Sequence, residues 1–339
     1  MKIRIVGHLR EPVMQVGIAG PWFDFEKTLK SFSYEIAENN FGEKINALVA
    51  NSHSLQAIKE CNLNQIPKNR RILILWEPKI VNPKTYSKKT LNNYGKIFTP
   101  SVDWAENLGS ESFLWPQLDL QKNKPNFENW EQRQNKATIV LANKFSACKG
   151  ELYSLRRELS YKTRNQDLLD LYGSKWNLGA MYDLRHYVGN FLRTPLKDLS
   201  LTSYRYLMRK HKNFKGLSED KFKTIANYTI SVVIENSADY ISEKLFDSIS
   251  SGAITIYVGP NVEKYGLSKN CVIQCKPKAK EIIRKIKYLK SISTNEQIEI
   301  AKLQYSSLLK TSGSWECHTV LKNLALMVNN YLNSTAGKN

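Results

Sequence analysis

Long hydrophobic runs are missing from this sequence of 339 residues. No apolar stretch reaches the ~20 residues that a helix needs to cross a bilayer. Met1 leads directly into a predicted strand, Lys2 to Gly7, and nothing before that strand has the pattern of a signal peptide. We therefore expect a cytoplasmic protein that is either soluble or attached to the surface of a membrane.

Metal-binding patterns are also missing. The five cysteines and the five histidines have no spacing typical of zinc ligands. Asp24-Phe25-Glu26 is the nearest approach to Asp-x-Asp, the carboxylate pair that binds a metal–diphosphate in other transferases. The odd number of cysteines, and the alternation of Cys271 and Cys275 with apolar residues, favour reduced structural thiols and a reducing compartment.

Acidic residues are few relative to basic ones. The chain has 50 Lys and Arg against 31 Asp and Glu, which gives a formal charge of +19. This excess favours an anionic partner, namely a nucleotide phosphate, a lipid surface or a nucleic acid. A generally lysine-rich surface is the alternative explanation. The hydrophobic fraction of 42% and the 17 tyrosines suffice for a folded core, and the length favours two domains.

The chain contains a repeated alternation of short apolar strands and helices. The predicted strands of the first half are 2–7, 45–49, 72–76 and 96–99. Strands that alternate with helices form parallel sheets. We predict an α/β domain at 1–120, a polar linker at 121–136 and a second α/β domain at 137–314. A C-terminal helix and tail at 315–339 is expected to pack back on the first domain.

Residues 228–260 contain a complete strand–loop–helix–strand unit. Thr229 to Ile234 is a β-branched apolar run typical of a buried parallel strand. Asp239 is predicted to cap a helix that Gly252 ends, and 253–258 is the next strand. Ligands of open α/β sheets bind at the carboxyl ends of strands, where helix N-termini favour a diphosphate. The side chains in that zone are Glu235, Asn236, Ser237, Tyr240, Glu243 and Lys244.

Two of these side chains suit a nucleotide by their chemistry alone. Lys244 supplies a positive charge for phosphate, and the carboxylate of Glu243 is suited to the vicinal hydroxyls of a ribose. Both are equally compatible with solvated positions on a helix.

Three segments of the same unit form a longer pattern. They read Glu-Asn-Ser at 235–237, Asp-Tyr-Ile-Ser-Glu-Lys-Leu-Phe-Asp at 239–247 and Ser-Gly-Ala-Ile-Thr-Ile-Tyr-Val-Gly-Pro at 251–260. This pattern resembles the donor-binding signature of the α1,3/α1,4-fucosyltransferases, glycosyltransferase family 10. The resemblance implies an α/β fold of GT-B type, in which two Rossmann-like parallel-sheet domains face each other across a cleft and the C-terminal one holds a GDP-sugar.

The resemblance implies that Asn236, Tyr240, Glu243 and Lys244 bind the GDP part of the donor. The sequence departs from the family pattern in two places. The spacer between Glu-Asn-Ser and Asp-Tyr is the single residue Ala238, one residue shorter than is usual, and Thr255 stands where a proline is common.

The family also places a basic residue of the first helix of its C-terminal domain against the diphosphate. Here Asn143 ends a predicted strand, and residues 149–157 are predicted to form that helix. Lys149 fits by its spacing to Tyr153, and Arg156 fits by residue type. Arg offers a planar fork to phosphate oxygens, whereas Lys offers only a point charge. Both residues stay open as diphosphate ligands.

Transfer of fucose needs a base that deprotonates the acceptor hydroxyl. Leu75-Trp76-Glu77-Pro78, at the end of a predicted strand, resembles the Glu-Ser-Pro element of the family, with one residue missing between Glu and Pro. The glutamate of that element is the proposed base, so Glu77 is the predicted catalytic residue. A carboxylate that fixes a turn is the alternative interpretation of Glu77, and Glu11 is a weaker rival base.

The leading hypothesis is an inverting glycosyltransferase that moves fucose from GDP-fucose to a hydroxyl of a glycan acceptor. Because Asp-x-Asp is missing, we expect no metal or other cofactor, and basic groups would neutralise the leaving diphosphate instead. The acceptor could be lipid-linked, since a chain of charge +19 suits an anionic membrane surface. Transfer of another GDP-hexose is an alternative.

A non-catalytic α/β protein that binds nucleic acid is the competing hypothesis. The aromatic and basic run at 182–214 is compatible with a nucleic-acid surface, a membrane-facing patch or the aromatic core of an insertion, and we favour the last. The sequence has no helix-turn-helix, zinc-finger or RNA-binding signature, so nucleic acid is not an expected partner.

Overall fold

The computed structural model describes residues 1–6, 22–37, 43–51, 53–117, 124–146, 148–176 and 211–335. Contacts between residues divide the chain into two compact units. The first domain comprises Met1–Asp119 with Gly313–Asn339, and the second comprises Leu120–Ser312. Glu11 lies outside the described residues, as do residues 182–210 of the aromatic and basic run.

The first domain is a parallel sheet with helices between its strands. Its elements along the chain are β1 (Lys2–Val6), α1 (Trp22–Ser31), β2 (Glu35–Ile36), β3 (Ala47–Asn51), α2 (Leu55–Leu63), β4 (Arg71–Ile74), α3 (Lys88–Leu91), β5 (Lys96–Thr99), α4 (Val102–Leu108) and β6 (Glu111–Ser112). The strand order is β2-β1-β3-β4-β5-β6, and every neighbouring pair is parallel.

Both faces of this sheet are covered. In β3, Ala47 and Val49 belong to one apolar cluster, and Leu48 and Ala50 belong to another. Successive side chains of a strand point to opposite faces, so the two clusters lie on the two sides of the sheet. A parallel sheet buried on both faces explains why its strands read as continuous apolar runs.

The second domain has the same kind of architecture. Its elements are β7 (Gln134–Val140), α5 (Tyr153–Thr163), β8 (Leu169–Tyr172), β9 (Phe214–Gly216), α6 (Lys221–Ala226), β10 (Tyr228–Ile234), α7 (Glu243–Ser250), β11 (Ile254–Val258), β12 (Ile273–Gln274), α8 (Ala279–Ser291) and α9 (Thr294–Thr311). The strand order β12-β11-β10-β7-β8-β9 is fully parallel and corresponds to the Rossmann order.

β10 lies at the centre of the second domain. All seven of its residues are buried, and Ile230, Val232 and Ile234 belong to the main apolar cluster. The turn from α7 into β11 requires Gly252, whose φ of +78° lies in the left-handed region and whose Cβ would approach Pro125 to 2.6 Å.

The last helix, α10 (Cys317–Ser334), returns to the first domain. It packs along α1 and buries a stripe of apolar side chains against the first sheet. That stripe consists of Val320, Leu321, Leu324, Ala325, Val328 and Leu332. Within the described ranges, no helix is both long and apolar enough to cross a membrane.

Candidate functional site

The strand order of the second sheet reverses between β7 and β10. The chain runs outward from β7 to β8 and β9, then returns and places β10 on the other side of β7. Open α/β sheets bind ligands in the crevice outside the carboxyl ends of such a pair. The segments that follow the two strands meet here. The Leu152 N–H donates to the Asn236 carbonyl at 2.9 Å, and Glu151 forms an isolated antiparallel β-bridge with Ser237.

Glu235, the first residue after β10, is fully buried. Its carboxylate accepts the Ser242 N–H at 3.0 Å and the Ser242 hydroxyl at 2.6 Å, and Lys244 Nζ lies 3.8 Å from its Oε2. Burial raises the pKa of Glu235, although Lys244 and the hydrogen bonds from Ser242 act in the opposite direction. The buried carboxylate therefore connects the start of the loop 236–242 to its end at Ser242.

Helix α7 begins at Glu243 with Ser242 as its N-cap residue, so the prediction that Asp239 caps it was wrong. The Asp239 carboxylate instead accepts the hydroxyl of Ser237 within the loop. Its carbonyl accepts the Tyr265 hydroxyl at 2.7 Å. These contacts hold residues 237–239 outside the helix, which begins only after Ser242.

Asn236 connects residues from both segments of the predicted site. Its Nδ2 donates to the Tyr240 hydroxyl at 2.9 Å, and its Oδ1 accepts Arg156 Nη2 at 3.0 Å. Asn236 and Tyr240 are both buried. The structure thus brings together two of the four residues predicted to bind GDP and one of the two candidate diphosphate ligands.

Arg156 is a buried guanidinium at the point where the strand order reverses, with only 2% of the residue exposed. It donates to the Ile234 carbonyl at 2.6 Å and to the Ala142 carbonyl at 3.4 Å, which ties together the segments at the ends of β10 and β7. Burial lowers its pKa to about 10, so Arg156 is protonated at neutral pH.

No carboxylate pairs with Arg156 among the residues that the structure describes. Its Nε is buried without a hydrogen-bond partner in the same set. Glu235 and Glu151 act on Arg156 only through their charge at longer range, and they raise its pKa by less than burial lowers it. The arrangement can therefore receive an anion.

Lys149 lies before helix α5, which begins at Tyr153, so the prediction of a helix from residue 149 was wrong. Gly150 has a φ of +90°, and Glu151 pairs with Ser237, which holds this segment in a non-helical path. The Lys149 side chain is exposed. Its spacing to Tyr153 therefore does not place it on the same helix face as Arg156.

Asn143 fixes the exit from β7. It is buried, its N–H donates to the Ser174 carbonyl at 3.0 Å, and its Nδ2 donates to the Lys175 carbonyl at 3.4 Å. Arg157 Nη1 lies 3.5 Å from its Oδ1. These contacts hold the segment after β7 against the turn that follows β8.

Glu243 and Lys244 open helix α7. Lys244 Nζ donates to the Ser242 hydroxyl at 2.8 Å and lies 3.3 Å from Glu243 Oε1. Burial by itself would raise the pKa of Glu243, but the positive charges of Lys244 and Lys221 outweigh it, and the pKa is lowered. Glu243 is therefore ionised at neutral pH, and Lys244 lies between two carboxylates.

Tyr257 and Gly259 support the site from β11, and sequence reasoning missed both. Tyr257 is fully buried, with its hydroxyl 3.5 Å from Glu235 Oε1. A Cβ at position 259 would lie 2.3 Å from that hydroxyl and 2.9 Å from Glu235 Cγ, so only glycine fits. The available signals were a tyrosine inside an apolar strand and a glycine just after it.

Glu77, the predicted base, follows β4 in the first domain and is exposed. The Tyr86 hydroxyl donates to the Glu77 carbonyl at 2.9 Å, and the Tyr86 ring packs edge-on against Trp104 with centroids 4.8 Å apart. The turn after β4 is thus fixed through the main chain of Glu77.

The described part of the chain contains no group of three or more His, Cys, Asp or Glu side chains that could hold a metal. His53 lies 3.1 Å from the Tyr94 hydroxyl, and His211 lies 2.7 Å from the Ser160 hydroxyl. The five cysteines form no disulfide, and Cys61, Cys271 and Cys275 are buried.

No family model matches the chain. Among solved structures, Anabaena HepE in complex with UDP and glucose has a TM-score of 0.58 at 11% identity, covering 97% of this chain and 100% of that one. An α1,3-fucosyltransferase has a TM-score of 0.53 at 13% identity, covering 97% and 90%. A glycosyltransferase from Rickettsia africae has a TM-score of 0.54 at 11% identity, covering 98% of each chain.

At these identities the similarity concerns the fold. The protein has two Rossmann-like α/β domains and a fold of the GT-B type, and the predicted fold class is confirmed.

Proposed function

We propose that this protein is an inverting glycosyltransferase that transfers fucose from GDP-fucose to a hydroxyl of a glycan acceptor without a metal. The observation that carries the proposal is the position of Arg156. A guanidinium buried where the strand order reverses, without a carboxylate partner, is stabilised when an anion arrives. A diphosphate outside the carboxyl ends of β7 and β10 supplies that anion.

The other residues of the site divide into ligand-binding and positioning roles. Lys244 joins Arg156 in neutralising the negative charge that develops on the leaving diphosphate. The ionised carboxylate of Glu243 accepts hydrogen bonds from the ribose hydroxyls. Asn236 and Tyr240 form the wall of the nucleotide site.

The positioning residues are Glu235, Ser237 and Asn143, whose side chains or main chains hold the loops after β10 and β7. Lys149 is exposed and is a second cation for the diphosphate only if the turn 148–150 rearranges. We therefore favour Arg156 over Lys149 as the diphosphate partner.

The identity of the donor rests on the segments 235–237, 239–247 and 251–260, which resemble the signature of family 10. An α1,3-fucosyltransferase among the solved structures with this fold is compatible with that choice. HepE has the same fold and is complexed with UDP and glucose, so the fold alone does not select GDP. Another GDP-hexose is the alternative donor.

Glu77 is the proposed base. Its carboxylate would take the proton of the acceptor hydroxyl while that oxygen attacks the anomeric carbon and the bond to the diphosphate breaks. Attack from the side opposite the leaving group inverts the anomeric configuration. The acceptor is a glycan, and a lipid-linked glycan suits the charge of +19.

A donor panel tests the proposal. The protein is incubated with GDP-fucose, GDP-mannose and UDP-glucose, with and without a chelator, and slow hydrolysis of each donor is followed by NMR of the released sugar. We expect hydrolysis of GDP-fucose that is unaffected by the chelator. Hydrolysis of UDP-glucose alone would refute the donor assignment, and loss of activity in the chelator, restored by a divalent ion, would refute metal independence.

Two variants connect this activity to the site. Lys244→Met should weaken donor binding because it removes a charge from the diphosphate region. Lys269→Met is a matched control, since Lys269 is an exposed lysine of the same domain, in the turn Lys269–Cys271 before β12. Equal activity of the two variants would contradict the role of Lys244.

A further inference from the structure

The loop that follows Glu77 has an unusual distribution of charge. From Pro78 to Val102 the chain contains five lysines and no aspartate, glutamate or arginine. We call residues 79–89 the lysine loop. Lys84, Lys88 and Lys89 are exposed and make no ion pair with any described residue. They are therefore not used to stabilise the fold by neutralising carboxylates.

Internal hydrogen bonds and one buried side chain fix the conformation of the lysine loop. The Thr90 hydroxyl and the Ser87 N–H both donate to the Lys84 carbonyl, at 3.0 and 3.2 Å, and the Tyr86 hydroxyl donates to the Glu77 carbonyl. Ile80 is buried beneath the loop. The loop is thus held by its own hydrogen bonds, and one of them connects it to the main chain of the predicted base.

The outer surface of the same loop is basic with one apolar side chain. Val81 is 44% exposed, in contrast to its neighbour Ile80, which is 7% exposed. An exposed apolar residue among lysines suits the boundary of a lipid bilayer, where the apolar group enters the headgroup region and the ammonium groups meet lipid phosphates.

We propose that the lysine loop docks the first domain on an anionic lipid bilayer, so that Glu77 works beside the membrane surface. A nucleic acid is a poorer fit, because its recognition relies on arginine forks and exposed aromatic rings. The loop has no arginine, and its only aromatic residue, Tyr86, is buried. That the acceptor is carried by the same bilayer rests on the proposed function, whereas the docking does not.

The expected size of the effect follows from the charges. Each lysine close to an anionic leaflet changes the partition coefficient by about fivefold, so three lysines change it by about 100-fold. Salt should weaken the binding strongly, since the screening length falls to ~10 Å at 0.1 M ionic strength.

The test is co-sedimentation of the full chain with vesicles of phosphatidylcholine, alone or mixed with phosphatidylglycerol, without any nucleotide. The loop variant is Lys84→Gln/Lys88→Gln/Lys89→Gln. The matched control is Lys278→Gln/Lys280→Gln/Lys287→Gln, which removes the same charge from exposed positions in and before α8 that also make no described ion pair.

We expect binding to the mixed vesicles only, an about 100-fold loss in the loop variant and a much smaller loss in the control. Val81→Ser should weaken binding further at high salt. Equal losses in the two triple variants would overturn the proposal in favour of overall charge. Failure of the wild type to bind the mixed vesicles at low salt would also overturn it. A loop variant that keeps vesicle binding but loses binding to random RNA, measured in a parallel filter assay, would overturn it in favour of nucleic acid.

Donor hydrolysis in solution is measured on the same samples without vesicles. Vesicle binding can fail while hydrolysis is normal, and hydrolysis can fail while vesicle binding is normal. The two outcomes therefore separate a failure of the docking proposal from a failure of the proposed function.

Discussion

Replacing Arg156 by Met removes the buried charge and keeps much of the apolar volume of the side chain. The variant loses charged hydrogen bonds to the Ile234 carbonyl at 2.6 Å and to Asn236 Oδ1 at 3.0 Å. Hydrogen bonds of this type contribute about 1.5–3 kcal/mol each. Against this loss, the variant avoids the desolvation of a buried ion, which costs several kcal/mol. We therefore expect the free energy of unfolding to change by less than about 2 kcal/mol.

Nucleotide binding should respond differently to the same substitution. If Arg156 neutralises the diphosphate, its loss removes a charge-assisted hydrogen bond from the complex, which corresponds to an about 100-fold higher Kd for GDP. Urea unfolding without nucleotide measures the stability, and titration calorimetry with GDP measures the affinity. Lys149→Met is the control, because Lys149 is the other candidate and is exposed. It should change the Kd by no more than about threefold.

Two results would refute this reasoning. If Arg156→Met lowers the free energy of unfolding by more than about 3 kcal/mol while the folded protein keeps its affinity for GDP, then Arg156 only connects the two strand ends. If Lys149→Met instead abolishes GDP binding, the assignment of the two residues is reversed.

Gly259→Ala should destabilise the protein by about 1–3 kcal/mol in urea unfolding, because its Cβ would lie 2.3 Å from the Tyr257 hydroxyl, whereas Gly313→Ala meets nothing and should be neutral. Glu77→Gln should lower kcat by about 10²–10⁴-fold while donor affinity is retained. Glu106→Gln, at an exposed position of the same domain, should leave kcat unchanged. Equal kcat values for the two variants would contradict the assignment of Glu77 as the base. Burial lowers the pKa of His211 to about 4, so its neutral form stabilises the fold above pH 6.5, and about 3 kcal/mol of stability should be lost as the pH falls from 6.5 towards 4. His211→Gln should remove that part of the pH dependence, and an unchanged pH profile would contradict it.

Sequence reasoning predicted the elements whose apolar pattern is strong. The run Thr229 to Ile234 became part of β10, and the predicted strand at 253–258 became β11 (Ile254–Val258). Burial of one face, or of the whole strand, determines the structure of such segments, and the apolar pattern of the sequence shows that burial directly. The strand order of each sheet is set by long-range pairing, which local patterns do not display.

The details of the site were harder to predict because they depend on contacts between distant segments. Glu235 fixes the start of α7 by binding Ser242, so the helix begins later than the local capping pattern at Asp239 indicates. Arg156 looks like an ordinary exposed helix residue by its sequence. Its burial arises only because the ends of β7 and β10 meet around it.

The prediction that the wild-type protein binds a guanine nucleotide at this site is the central claim, and titration calorimetry tests it most directly. GDP and UDP are titrated separately into the full chain and into Lys244→Met under identical salt conditions. We predict that GDP binds more tightly than UDP and that the variant weakens GDP binding. Tighter binding of UDP, or GDP binding that is unchanged in Lys244→Met, would contradict the account.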